Sequence, residues 1–503
     1  MYKYALLAAL LPAAAHAHNV ARQASPAAAA ASSPASAPSA SAPAATGSSV
    51  ASAGSSGASS AALPPPSLSI PAGAATGSPS SVSWSLISTN PTALPLSDII
   101  SGTITTQATL PLTTTYTGGA IPTYMSNAPP LPNIVGINPA DYPALDKLPP
   151  TDSPEVQQWI QEVNNSGIVI PDIPPTQPGG CAANAEAAAD TSRCWWTCGG
   201  CVRDTDITTC PDKLTWGLTY DDGPAFYTPN LLQYLDQNNL KTTFFIVGSR
   251  AISYPALLQE EYMAGHHLAA HTWSHPSMTT VSTEGLIAEL GWSKKIIKDV
   301  TGVTPIYFRP PYGDIDDRVR AIVQAMGLIP VIWTRISPTA TFDTGDWNIP
   351  GGDISASQVL QNWQFIMGNV TTIDTGFIVL EHDLFAQTVD LATGYILPDA
   401  LATTPKLDIM PVIQCLHKPF EDAYVETNDN SSDPLPTASD AAPLTFSSGS
   451  AGAAQATGSA NNTNTTSGST KTGAATALEV RSSLLLAAGT AALGLLSAFS
   501  MLL

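Results

Sequence analysis

The chain reads as an α/β protein with one central domain on a parallel sheet, either wound into a complete or incomplete (β/α) barrel or left open and doubly wound. Three observations point there. Short apolar runs alternate with runs of helical periodicity across residues 214–383, polar residues recur at the ends of the apolar runs, and composition changes on both sides of the central block. Of the 503 residues, 19 to about 85 are mostly Ala, Ser, Pro and Gly, and 430 to about 475 are mostly Ser, Thr, Gly, Ala and Asn. Neither flank has enough large side chains to offset the entropy of ordering it, so both are expected to be disordered. The compact block is expected over 181–420, after a low-complexity, Pro-rich region at 18–180 and before a Ser/Thr-rich linker at 421–473.

The elements follow in order. Leu214 to Tyr220 is an apolar run ending in Asp221-Asp222-Gly223-Pro224, a strand entering a loop. Thr228-Pro229 opens a helix to about Asn238, because Pro suits the first helical position. Thr242 to Val247 is a strand, Pro255 to Met263 a helix, and His267 to Ala270 a strand that ends at His271. Thr283 to Thr301 carries Leu286, Ile287, Leu290 and Ile297 at helical spacing. Ile306 to Phe308 is a strand ending at Arg309; Asp316 to Met326 is a helix and Ile329 to Trp333 a strand. Ser357 to Met367 is a helix, and Phe377 to Leu380 a strand ending at Glu381-His382. Repeated βα units imply parallel pairing with right-handed crossovers.

Acidic residues outnumber basic ones 39 to 19, a formal charge of −20. No basic stripe is visible, so no nucleic-acid partner is expected. Lys3, the apolar run Ala5 to Ala15 and the small-x-small triplet Ala15-His16-Ala17 form a signal peptide at 1–17. Gly473-Ala474-Ala475, a short spacer and the apolar stretch Ser482 to Leu503 resemble a GPI-attachment signal, with 474–503 as its propeptide. Gly473 is the first choice of attachment residue, Ser467 and Ser469 are alternatives, and a retained single-pass helix is the competing reading. The expected location is outside the cell, at the plasma membrane and cell wall. Asn164, Asn369, Asn430, Asn461 and Asn464 are candidate N-glycosylation sites. The six cysteines, Cys181, Cys194, Cys198, Cys201, Cys210 and Cys415, read as disulfides in such a compartment, with fifteen pairings open. A bridge from the first five to Cys415 would tie the ends of the domain together.

The chemistry-bearing residues sit at strand ends, where parallel barrels and open parallel sheets place their sites. Asp221 and Asp222 are adjacent carboxylates that point in different directions, so one can bind a metal while the other stays free as a base. His271 and His275, four apart, can meet at one metal if the segment is helical or tightly turned. Two imidazoles and one carboxylate make a three-ligand site with open positions. An arginine at 309 can pair with a carboxylate, and His382 can serve as a general acid. The same ligand types occur in iron oxygenases, but the βα alternation argues against that class.

Five segments, in order, resemble the motifs of the polysaccharide deacetylases, also called carbohydrate esterase family 4 or NodB-homology enzymes. They are Thr219-Tyr220-Asp221-Asp222-Gly223-Pro224, His271-Thr272-Trp273-Ser274-His275, Arg309-Pro310-Pro311-Tyr312-Gly313, Asp343-Thr344-Gly345-Asp346-Trp347 and Ile378-Val379-Leu380-Glu381-His382-Asp383. The resemblance spans about 210–415, and with the tail and flanks the chain is similar to the fungal, chitin-acting branch of the family. It implies a distorted (β/α) barrel and one divalent metal, Zn2+ with Co2+ as an alternative, held by Asp222, His271 and His275. It further implies Asp221 as general base oriented by Arg309, and His382 as general acid oriented by Asp346. The Tyr312 backbone would be an oxyanion donor, and Tyr312, Trp347 and Leu380 would contact substrate. The implied partner is chitin or partly acetylated chitosan, a cell-wall polysaccharide.

Overall fold

The computed structural model describes residues 85–102, 109–125, 127–337, 339–431 and 434. The expected signal peptide at 1–17, Asn461, Asn464 and Gly473 lie outside them. Among the described residues, no helix is long and apolar enough to cross a membrane.

The first long helix, α1 (Pro154–Asn165), begins on a Ser153 N-cap whose hydroxyl accepts from the Val156 amide at 3.3 Å, with Pro154 and Glu155 in the first turn. The barrel follows. Strands β1 (Thr215–Gly217) and β2 (Thr219–Asp221) are one extended segment that changes partners at Leu218. Leu218 N–H donates to the Met410 carbonyl at 2.9 Å, while its own carbonyl accepts from Thr243 at 3.0 Å. The expected single strand is therefore split, since its first half pairs with a different set of neighbours from its second. After β2 come α2 (Thr228–Gln237), β3 (Thr243–Ile246), α3 (Pro255–Met263), β4 (His267–Ala270), α4 (Thr283–Thr301) and β5 (Tyr307–Phe308). Next are α5 (Asp317–Ala325), β6 (Ile329–Pro330), α6 (Ala356–Asn369), β7 (Phe377–Ile378) and β8 (Asp408–Met410).

Strands β2 to β6 form a five-stranded sheet in sequential order, all parallel. Strand β1 lies between β8 and β7, also in parallel. Single ladder bonds join the two sheets into a ring. Thr334 N–H donates to Ile378 O at 3.0 Å, Phe342 N–H to Thr334 O at 2.8 Å, and Leu380 N–H to Phe342 O at 2.9 Å. Asp221 N–H donates to Glu381 O at 2.9 Å, which closes β7 onto β2. The result is a parallel barrel whose wall thins to isolated bridges between β6 and β7, so the distorted barrel, and not the open sheet, is the fold.

Helices cover the wall with apolar faces. Trp363 of α6 meets Trp216 of β1 with ring centroids 5.2 Å apart, and both are fully buried. The six cysteines pair as Cys181–Cys198, Cys194–Cys201 and Cys210–Cys415. The last links the segment before β1 to the segment after β8. Arg203–Asp317 and Arg320–Asp206, at 2.6 and 2.8 Å, fasten the cysteine-rich segment to α5.

The body is larger than the block expected at 181–420. Described residues before 181 pack against the barrel: Met125 and Val156 are fully buried, and Tyr142 stacks on Trp273 with centroids 6.1 Å apart. Helix α1 lies on α4, where Trp159 rests so close to Gly291 that a Cβ there would meet its ring at 2.1 Å. Only glycine admits that approach. Pro-rich composition suggested a low-complexity region, yet the apolar positions Val156, Trp159, Ile160 and Val163 supply a packing face.

Trp159→Ala should destabilise the folded body by about 1–2 kcal/mol, less than the full burial of a large apolar side chain because Trp159 is part-buried. Urea unfolding measures it; a loss below about 0.5 kcal/mol, the scatter of ordinary surface substitutions, would contradict docking of α1.

Candidate active site and metal centre

The site lies at the C-terminal ends of β2, β4, β5 and β7. At the end of β2, Asp221 keeps its strand conformation and turns its carboxylate to Arg309, whereas Asp222 takes a left-handed φ of 82°. That reversal sends the two neighbours to different tasks. Arg309 is fully buried, and its Nη1 donates to Asp221 Oδ1 at 2.6 Å and to Thr219 Oγ1 at 3.0 Å. Its guanidinium carbon lies 4.0 Å from the Phe245 ring centroid, so the cation is sandwiched by charge and π-face together.

His271 follows β4. Its Nδ1 is 2.8 Å from the Arg309 carbonyl, which only an N–H there can satisfy, and this turns Nε2 toward Asp222. Asp222 Oδ1 lies 3.5 Å from His271 Nε2 and 3.2 Å from His275 Nε2. The candidate ligand atoms of these three residues all fall within 4.8 Å of one another. Asp222 Oδ1 is buried and has no hydrogen-bond partner among the described residues. Burial works against charge on Asp222, but His275, His271 and Arg250 outweigh it and hold its carboxyl well below the usual carboxylate range. Burial pushes His275 down to about 3, with Asp222 opposing. An anionic carboxylate with an orphaned oxygen beside two imidazole nitrogens fits a divalent cation.

Two further loops complete the site. Pro310–Gly313 turns tightly, with Tyr312 at a left-handed φ of 59° and its ring 4.6 Å from that of His275. After β7, His382 is held twice by Asp346: Nδ1 lies 2.8 Å from Oδ1, and the backbone N–H donates to Oδ2 at 2.9 Å. Burial disfavours charge on His382, but Asp346, then Asp222 and Asp221, overcome it and push the imidazole up to about 10. It therefore stands protonated at neutral pH and can donate a proton. Leu380, 5% exposed, precedes His382 by two positions on the same strand face, and part-exposed Trp347 follows Asp346 directly. All the residues singled out for metal, base and acid roles are thus at one end of the barrel.

Several supporting residues were not singled out. Arg250 Nη1 donates to the Asp222 carbonyl at 2.7 Å and fixes the reversed backbone. Asp314 accepts from Trp195, Thr197, Ser277 and Thr279, joining the cysteine-rich segment to the loops after His275 and Tyr312. Glu289 lies fully buried beneath the segment linking His271 and His275. Its sequence signal was a carboxylate inside the apolar stripe of α4. Of the glycosylation candidates, Asn164 and Asn430 are exposed, and Asn369 is half-buried with its amide donating to Phe365 O at 2.8 Å.

The polysaccharide deacetylase family profile matches residues 208–331. Chitin deacetylase 1 of Cryptococcus neoformans is 49% identical over 355 residues, covering 70% of this chain and 74% of that protein. The chitin deacetylase of Amylomyces rouxii is 39% identical over 244 residues, 47% of this chain and 56% of that one. The solved chitin deacetylase of Colletotrichum lindemuthianum aligns with a TM-score of 0.39 and 24% identity, over 46% of this chain and all of that one.

Asp346→Asn removes the charge that offsets burial, so the His382 imidazole should lose its proton at a pH at least one unit lower than in the parent. NMR titration of the ring reads this directly; an unchanged midpoint would contradict the coupling. The match at 49% identity over most of a curated relative, on a parallel barrel with these strand-end motifs, places the chain in the polysaccharide deacetylase family.

Proposed function

We propose that the chain removes N-acetyl groups from chitin, giving chitosan and acetate by metal-dependent hydrolysis, with Zn2+ as the metal and Co2+ as a substitute. The observation that carries this reading is the separation of two adjacent carboxylates: Asp222 faces two imidazoles while Asp221 faces Arg309. The names of the relatives, both chitin deacetylases, support the substrate.

Asp222, His271 and His275 would hold the metal. When bound, it supplies Lewis-acid polarisation of the acetyl carbonyl and lowers the pKa of water. Asp221, oriented by Arg309, takes the proton of the attacking water. The Tyr312 N–H donates to the oxygen that becomes negative as the acetyl carbon turns tetrahedral. His382, charged and oriented by Asp346, delivers a proton to the departing amine nitrogen, which is a poor leaving group without it. Trp347 and Leu380 flank this acid and line the space for the acetyl methyl group. Tyr312, whose ring packs beside His275, contacts the sugar.

The place of action we propose is outside the cytoplasm, on a membrane-anchored protein at the cell wall. Three disulfides support an oxidising compartment, and the apolar stretch Ser482 to Leu503 after Gly473-Ala474-Ala475 supports lipid anchorage.

Acetate release from N-acetylglucosamine oligomers, peptidoglycan and acetylxylan tests the substrate. Fastest release from the chitin oligomers is expected, and Asp221→Asn should lose about 10²–10⁴-fold in turnover while keeping metal. His275→Ala should lose the metal itself. Equal metal loss in both variants, or a preference for another polymer, would contradict this assignment.

A further inference from the structure

Between the two histidines the chain runs Thr272-Trp273-Ser274, and its backbone is gripped from two sides. Trp273 N–H and Ser274 N–H both donate to Glu289 Oε2 at 2.8 Å, and Ser274 Oγ donates to Oε1. Opposite, Gly248 N–H and Ser249 N–H donate to the Thr272 and Trp273 carbonyls at 2.9 and 3.0 Å. Thr272 Oγ1 accepts from the His275 N–H at 3.0 Å.

This grip is needed because the loop is strained. Thr272 and His275 have left-handed φ of 65° and 59°. That conformation is uncommon for any residue with a side chain and an outlier for a β-branched one. Such backbones persist only where the surroundings over-determine them. Both reversals are required for His275 to fold back within reach of His271, whose ring centroid is 4.9 Å away.

Glu289 is suited to that task. It sits in α4, fully buried, and no Lys, Arg or His forms an ion pair with it among the described residues. A buried carboxylate without a cation is costly unless its oxygens are well used. Its hydrogen bonds named above all go to the ligand loop.

We propose that Glu289 is a positioning residue for the metal centre: by accepting the two amides between His271 and His275, it presets both imidazoles on one cation. The inference rests on the metal site of the proposed function. Glu289 touches neither metal nor substrate. Its contribution is to metal affinity, through loop geometry, and substrate binding at saturating metal is left unchanged.

Three variants of the full chain separate this from a packing role. Glu289→Gln can keep both amides on its carbonyl oxygen and turn its amide to Ser274 Oγ. Glu289→Met fills similar length with no comparable acceptor, and Glu289→Asp is one methylene short. Zn2+ affinity is read by competition with a graded chelator, alongside KM at saturating Zn2+. Met and Asp variants should bind Zn2+ about 10–100-fold more weakly, with Gln within about threefold of the parent and KM unchanged throughout. If Glu289→Met does not fold, Asp against Gln makes the same comparison. Parent-like Zn2+ affinity in the Met or Asp variant, or a Gln variant as weak as either, overturns the inference while the metal site stands. A parent chain that holds no Zn2+ removes the metal-site reading along with it.

Discussion

A guanidinium enclosed in a barrel must be neutralised there, and the way Arg309 is neutralised arranges the rest of the site. Removing two charges from water costs several kcal/mol per ion, which only close geometry and further hydrogen bonds can repay. Arg309 has both. Asp221 supplies the countercharge at 2.6 Å, while Thr219 and the Val331 carbonyl take further donors. Its own carbonyl accepts from His271 Nδ1. One residue thereby fixes Asp221 of β2, the ring of His271 after β4 and the wall at β6.

From that constraint the division between the adjacent carboxylates follows. Asp221 Oδ1 is committed to the buried cation, and its Oδ2 comes no nearer to His271 Nε2 than 3.9 Å, against 3.5 Å for Asp222. Asp222 must turn out of the strand, and its left-handed φ, supported by Arg250 on its carbonyl, aims it at His271 and His275. Across the site, Asp346 holds His382 with two hydrogen bonds, where Arg309 holds Asp221 with one. Asp221 and His382 are each held by an oppositely charged partner and face the site from different strand ends.

Most of the barrel was legible in the sequence, because short apolar runs and helical periodicity report local burial. The split of the first strand was not, since a change of partner at Leu218 leaves no trace in the pattern of that segment. Helix α1 could have been read from Ser153-Pro154-Glu155 and the stripe that follows, but the surrounding proline content masked it. Site residues at strand ends were visible because acids, imidazoles and arginine stand out against apolar runs. Glu289 was harder to read: a carboxylate inside the apolar stripe of α4 signals burial, but not which loop it meets. Spacing alone could not decide the cysteine pairing, where Cys198 and Cys201 lie three apart yet bond to different partners.

The central claim is that Asp222, and not its neighbour, joins the two histidines on a metal while Asp221 stays with Arg309. Anomalous diffraction at the zinc edge from crystals of the zinc-loaded chain tests it most directly. The account predicts one peak about 2.0–2.2 Å from Asp222, His271 and His275, with Asp221 outside bonding distance. A peak ligated by Asp221, or no peak among these residues, would contradict it.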